Sequence, residues 1–304
     1  MKRICLVLST AAALVLSTGC DNPADNEVWP DGASLYVGSN FPDTALSWSP
    51  GGSILLFTTF GFNSLCLHGF DGVDNPVAIT SSGMNESAGP NGCWNATALR
   101  IAYTAWAGDS VSQVRTIPGN VGAIHMVLND GLLHLHPSWN PDGDSLVMST
   151  FADGYWGLWK GDASDDSSFA PLYQPAADCL RPSYSQDGSW ILFQYSQAGT
   201  SDIWLVRPDG SDAHAVVSSS SDDIHPCWGP NSEWFTFASN SDGDYEVWIS
   251  NLDGSSLIRV TDDPAADIYP AWHPDGYGWF AFSSDRAGGT GNYDIFSIPT
   301  PPLP

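Results

Sequence analysis

The feature that most constrains this chain is a repeat. Six segments align on one aromatic residue, at Trp48, Trp94, Trp139, Tyr184, Trp228 and Trp272, so the spacing is 44 to 46 residues. His-Pro-Ser-Trp-Asn-Pro-Asp-Gly (136–143) and Tyr-Pro-Ala-Trp-His-Pro-Asp-Gly (269–276) show the pattern best. A period of about 40–45 residues with strand-turn-strand content is the spacing of one four-stranded propeller blade. The aromatic sits on a short innermost strand, and Pro-Asp-Gly makes the turn after it, because Pro pre-sets φ and Gly accepts a positive φ. An apolar second strand follows, as in Trp190–Phe193, then a third carrying Asp202-Ile203-Trp204 or Glu246-Val247-Trp248. An Asp-Gly turn (Asp209-Gly210, Asp253-Gly254) leads to the outer strand.

The sixth repeat stops at Ile298, after its third strand. At the other end, Asp31–Asp43 matches Asp253–Asp267, a fourth strand with its exit loop. The expectation is therefore an all-β, six-bladed propeller over 31–298. Leu35–Gly38 would complete the C-terminal blade, closing the ring without a free edge. Residues 299–304 form a Pro-rich tail.

Charge narrows the partners. The chain has 304 residues, 34 acidic against 9 basic, for a net charge of −25, and 14 Trp. So many aromatics exclude a disordered acidic chain. The charge excludes nucleic acid and anionic lipid surfaces, which require a basic patch.

Residues 1–19 read as a secretory signal: Lys2 and Arg3, then an apolar stretch too short to span a bilayer. Leu16-Ser17-Thr18-Gly19-Cys20 is similar to a bacterial lipobox, which implies that Cys20 is lipidated and begins the mature chain. Residues 20–30 then read as a tether. The expected location is the bacterial cell envelope, periplasmic or surface-exposed, with the lipid as the sole membrane contact.

The Pro-x-Trp-Ser-Pro-Asp-Gly turn and the Asp/Glu-Ile-Trp strand resemble the TolB-type propeller repeat over almost all of the expected mature chain. The N-terminal α/β domain that TolB carries has no counterpart in the segment before the first repeat. The resemblance implies a propeller presenting one face to an envelope protein or an oligosaccharide, as a monomeric, non-catalytic scaffold without a cofactor.

Propeller ligands gather where loops enter the innermost strands. Three residues before each anchor stand Ala45, Asn91, His136, Arg181, His225 and Tyr269. Five before stand Asp43, Gly89, His134, Cys179, Asp223 and Asp267. The expected mouth is His134, His136, Arg181, Asp223, His225, Asp267 and Tyr269, a set suited to a peptide carboxylate, a sugar acid or a metal. The alternative is a metal-dependent carbohydrate-active enzyme, a lyase or hydrolase, with His136, His225 and His134 on a divalent ion. Oligogalacturonate lyases are similar in fold and use channel histidines with a metal, but on seven blades. The anchor aromatics are expected as core between blades. No Gly-x-Ser-x-Gly elbow or phosphate loop occurs.

Export also bears on cysteine. With Cys5 in the signal and Cys20 lipidated, Cys66, Cys93, Cys179 and Cys227 remain. An even count in an oxidising compartment suggests two bridges, 66–93 and 179–227, between neighbouring blades.

Overall fold

The computed structural model describes residues 34–37, 43–59, 64–69, 77–78, 86–88, 93–95, 100–106, 111–119, 123–274, 278–286 and 293–304. Residues 1–33, and with them the signal, Cys20 and the tether, lie outside these. The described chain is an all-β propeller. Repeat 4 shows the regular unit: Asp178–Tyr184, Ile191–Gln197, Thr200–Val206 and His214–Val217 pair in order as one antiparallel sheet.

Five sheets have these four strands, rather than the six expected. The exception is the sheet of repeat 2, which has five strands. There the innermost position is divided between Glu86–Ala88 and Trp94–Asn95, both pairing with Arg100–Trp106. This repeat has Asn95-Ala96-Thr97 in place of the Pro-Asp-Gly turn. Ser34–Val37 pairs antiparallel with Asp294–Pro299, Ser34 opposite Ser297, and so supplies the strand that repeat 6 lacks.

The core lies between sheets, not within them. Among the described residues, five hydrophobic clusters each join two consecutive repeats, and a sixth joins the first repeat to the last. Leu192, Ile203, Leu205 and Val217 of repeat 4 pack on Trp228, Phe235 and Phe237 of repeat 5. Leu46, Trp48, Leu55 and Phe57 of repeat 1 pack in the same way on Ala271, Ala281 and Ile295 of repeat 6. Sheets buried on both faces need apolar residues at successive positions, which is why Ile191-Leu192-Phe193 and Phe280-Ala281-Phe282 read as runs. Leu303 of the tail packs on the cluster between repeats 5 and 6.

Much of the acidic surplus holds turns. Asp209 and Asp253 accept the N–H groups of Ser211 and Ser255 at 3.0 and 2.9 Å. Glu246, buried on its third strand, takes the Asp263 N–H at 3.0 Å and Arg259 at 2.7 Å. Such short-range bonds are what Asp offers a turn.

Cys93, Cys179 and Cys227 are buried thiols outside any disulfide, and each sits in a different hydrophobic cluster. The expected 179–227 and 66–93 bridges are therefore absent. The position before an anchor calls for a small residue, not a cross-link. Cys227 Sγ accepts the Trp272 backbone N–H at 3.3 Å, and Ser138 Oγ accepts that of Tyr184 at 3.3 Å. The side chain of Cys66 lies outside the described residues.

Candidate functional site

The site grows out of a break in each innermost strand. Pairing with the second strand skips two residues in repeats 1, 3, 4, 5 and 6: between Thr44 and Ser47, Leu135 and Ser138, Leu180 and Ser183, Ile224 and Cys227, and Ile268 and Ala271. Four of these gaps hold an x-Pro pair: His136-Pro137, Arg181-Pro182, His225-Pro226 and Tyr269-Pro270. Proline has no N–H for the ladder, so a bulge is where a strand tolerates it. The residue before it takes the left-handed conformation, with φ of 56° at His136, 55° at Arg181, 54° at His225 and 53° at Tyr269; Ala45 matches at 56°. For residues with a Cβ this costs about 1–2 kcal/mol each, and such strain gathers at functional sites.

The bulges bring four polar side chains of repeats 3 to 6 into one another's reach. Arg181 of repeat 4 donates to the Tyr269 hydroxyl of repeat 6 at 3.2 Å, with its guanidinium 4.7 Å from the ring centroid. Repeats 4 and 6 are not consecutive, so this contact reaches past repeat 5. His225 of repeat 5 stacks on the other partner of that contact, Tyr269, with centroids 3.8 Å apart and planes 11° apart.

His136 and His225 make no hydrogen bond to the described residues, and the Nδ1 of each is buried without a partner, as is one terminal nitrogen of Arg181. Burial holds both imidazoles well below the usual His range, and the Arg181 charge pushes them further down. Two neutral imidazoles beside a fixed cation are poised for an anion: a carboxylate would pair with Arg181 and favour protonation of the rings. Among the described residues, no group of three or more His, Cys, Asp or Glu is placed to hold a metal ion.

The second expected tier does not reach this space. His134 is fully buried inside its blade, between Asp130 at 2.8 Å and Thr150 at 3.0 Å. Cys179 is core. Asp223 is buried and takes the Ser219 hydroxyl at 3.2 Å. Asp267 is fully buried against Arg286 at 2.5 Å. Unbroken period-2 alternation would have put both tiers on one face; the left-handed residue resets the pleat and separates them. Gly89 and Asn91, and the side chain of Asp43, lie outside the described residues.

The anchor aromatics are buried between blades, as expected, but they also surround a cavity of about 430 Å³ at the opposite end of the innermost strands. The sequence signal for that cavity was the ring of anchors itself.

No protein-family model matches the chain. It is 31% identical over 97 residues to the Tol-Pal system protein TolB of Anaeromyxobacter dehalogenans, a match covering 32% of this chain and 22% of that relative. Among solved structures it is similar to a TolB-type protein from Agrobacterium tumefaciens, with 19% identity, a TM-score of 0.65, and 87% and 93% of the two chains covered. It is also similar in fold to an oligogalacturonate lyase in complex with manganese, with 14% identity, a TM-score of 0.58, and 88% and 93% covered.

Proposed function

We propose that this chain, a TolB-like β-propeller, is a non-catalytic binding scaffold of the bacterial cell envelope that captures an acidic group of its partner at the His136–Arg181–His225–Tyr269 end. The observation that carries this reading is a group of three unpartnered buried nitrogens, of His136, Arg181 and His225, in a chain with a net charge of −25. A cationic spot inside an acidic body recognises an anion by local geometry, because long-range attraction works against it. The partner is then an envelope protein presenting a carboxylate or an oligosaccharide carrying a sugar acid. The name of the Tol-Pal relative supports an envelope setting, and the sequence around Cys20 supports a lipid anchor.

In this reading the five-stranded sheet of repeat 2 counts as a sixth blade, and Ser34–Val37 closes a ring that acts as one rigid monomer. Packing of repeat 1 on repeat 6 supports this.

A metal-dependent lyase is the second reading, favoured by the manganese-bound neighbour and by the two unpartnered histidines. Arg181 weighs against it, since a guanidinium beside both rings repels a dication. The test is calorimetric titration of the protein with galacturonic acid and with an acidic peptide, without metal and with Mn²⁺. Metal-free binding that is lost in Arg181→Gln is the expected result. Binding that needs Mn²⁺, with turnover of oligogalacturonate, would overturn the scaffold reading.

A further inference from the structure

The six anchors, one from each repeat, wall the cavity at the far end of the channel. Strands rise about 3.3 Å per residue, so three residues separate it from the polar end by about 10 Å. Pro50, Pro141, Pro230 and Pro274 complete its lining in four repeats, each two residues after its anchor. Among the described residues, no charged side chain lines it.

One repeat breaks this pattern at both positions. Repeat 4 has Tyr184 where the others have Trp, and Gln186 where those four have Pro. The Tyr184 hydroxyl is buried without a hydrogen-bond partner. Gln186 is exposed, and its carboxamide bonds to none of the described residues. Of the other polar groups of the lining, Asn140 accepts three backbone N–H groups of its own turn and the Ser185 hydroxyl donates to Asp187 at 2.6 Å, while the indole nitrogens of Trp94 and Trp139 are buried without a hydrogen-bond partner. Among the described residues the cavity therefore has indole and pyrrolidine walls, two of whose indoles offer a free N–H, and a carboxamide edge on the side of repeat 4.

We propose that this cavity is a second binding site, separate from the polar end, and that it takes a neutral saccharide of one or two rings. Its volume lies at the low end of small-molecule sites, too small for a folded partner. A wall of six aromatics around one space suits a compact ring better than the extended segment that aromatic grooves bind. Pyranose rings present C–H faces to the indoles and hydroxyl edges to the Gln186 amide, which both donates and accepts. An uncharged lining gives neither an anion nor a cation a specific partner, and the charge of the whole chain repels anions.

The test is intrinsic tryptophan fluorescence, with saturation-transfer NMR, of the exported, folded chain titrated with cellobiose and with N,N′-diacetylchitobiose. Galacturonic acid, tetramethylammonium and a proline-rich peptide serve as competitors. A saturable response to one of the neutral disaccharides is expected. It should weaken by about tenfold in Gln186→Ala and vanish in Gln186→Trp, where the indole fills the rim. Both variants should keep the circular dichroism and Tm of the parent, because Gln186 is exposed, and Arg181→Gln should leave the response unchanged. Loss in Arg181→Gln would place the ligand at the polar end instead. No response to either disaccharide, a response unaltered in Gln186→Trp, or displacement by the peptide or the ammonium ion would overturn the proposal.

Discussion

The indole N–H of Trp48 donates to the carbonyl oxygen of Ala271 at 3.1 Å, joining residues 223 positions apart. The same bond occurs between consecutive repeats, where Trp228 donates to Ser183 at 2.8 Å. Each carbonyl belongs to the residue just before the anchor of the preceding repeat. Repeat 1 thus contacts repeat 6 through the same bond that joins repeat 5 to repeat 4.

Trp48→Phe and Trp228→Phe should therefore cost similar stability. Each removes one buried hydrogen bond and leaves a carbonyl without its donor, a loss of about 1–3 kcal/mol. Urea unfolding followed by circular dichroism checks this. If Trp48→Phe were silent while Trp228→Phe was not, repeats 1 and 6 would not unfold as part of the same cooperative unit.

The strained bulges predict an inverted response to glycine. Ala45 sits at φ 56°, where glycine is free of the Cβ penalty. Ala45→Gly should be neutral or stabilising by up to about 1 kcal/mol. Ala238, in the regular strand Trp234–Ser239 and fully buried, should lose about 1 kcal/mol or more on the same change. Equal destabilisation of the two variants would mean that the left-handed turn carries no strain.

How far the sequence reached can be judged from these bulges. The anchor spacing located the innermost strands, and the match of 31–43 to 253–267 located the strand that pairs with Asp294–Pro299. His136, Arg181, His225 and Tyr269 were legible as one set because the repeat fixes their offset from the anchor. The tier of His134, Asp223 and Asp267 was misplaced because period-2 alternation was carried across a bulge, and x-Pro was the local sign that it breaks there. The disulfides failed because cysteine parity says nothing of geometry, whereas Cys93 and Cys227 occupy the small-residue position before an anchor. The cavity was not read at all: it is made by six residues together, and each alone looks like core.

Burial should make the thiols inert in the folded chain. It pushes Cys93 up to about 12 and moves Cys179 in the same direction, leaving almost no thiolate at neutral pH. A thiol-specific disulfide reagent should therefore leave Cys93, Cys179 and Cys227 unmodified until denaturant is added, and reductant should not change Tm. Peptide mapping that finds these residues cross-linked without prior unfolding would contradict the structure.

Asp267 and Arg286 form an ion pair that is 0% and 1% exposed, with the guanidinium also 5.2 Å from the Phe282 ring centroid. Burial pushes the Asp267 carboxyl upward, and the Arg286 charge pulls against it. Arg286→Met leaves that carboxyl buried without its cation and should cost about 3–5 kcal/mol, much of it recovered in an Asp267→Asn, Arg286→Met double variant. A double-mutant cycle in urea measures both figures. A cycle showing no coupling would remove the pair from the list of what holds repeat 6.

His136 and His225 tie stability and binding to pH in opposite directions. Their folded-state affinity for protons is depressed, chiefly by burial and further by Arg181, so both rings are neutral in the native chain near pH 7. The unfolded chain takes up these protons below about pH 6.5, so their contribution to stability is present above that value and is lost as pH falls. From pH 7 to 5, the Tm of the parent should drop further than that of a His136→Gln, His225→Gln variant, the difference isolating these rings from the carboxylates that protonate in the same range. A bound carboxylate reverses the preference, because an anion beside each ring favours the imidazolium. Binding at this end should then take up protons and strengthen as pH falls toward 5.5. Calorimetry in two buffers of different ionisation enthalpy counts those protons, and ligand binding without uptake, or with equal uptake in the double variant, would show that the anion does not sit against His136 and His225.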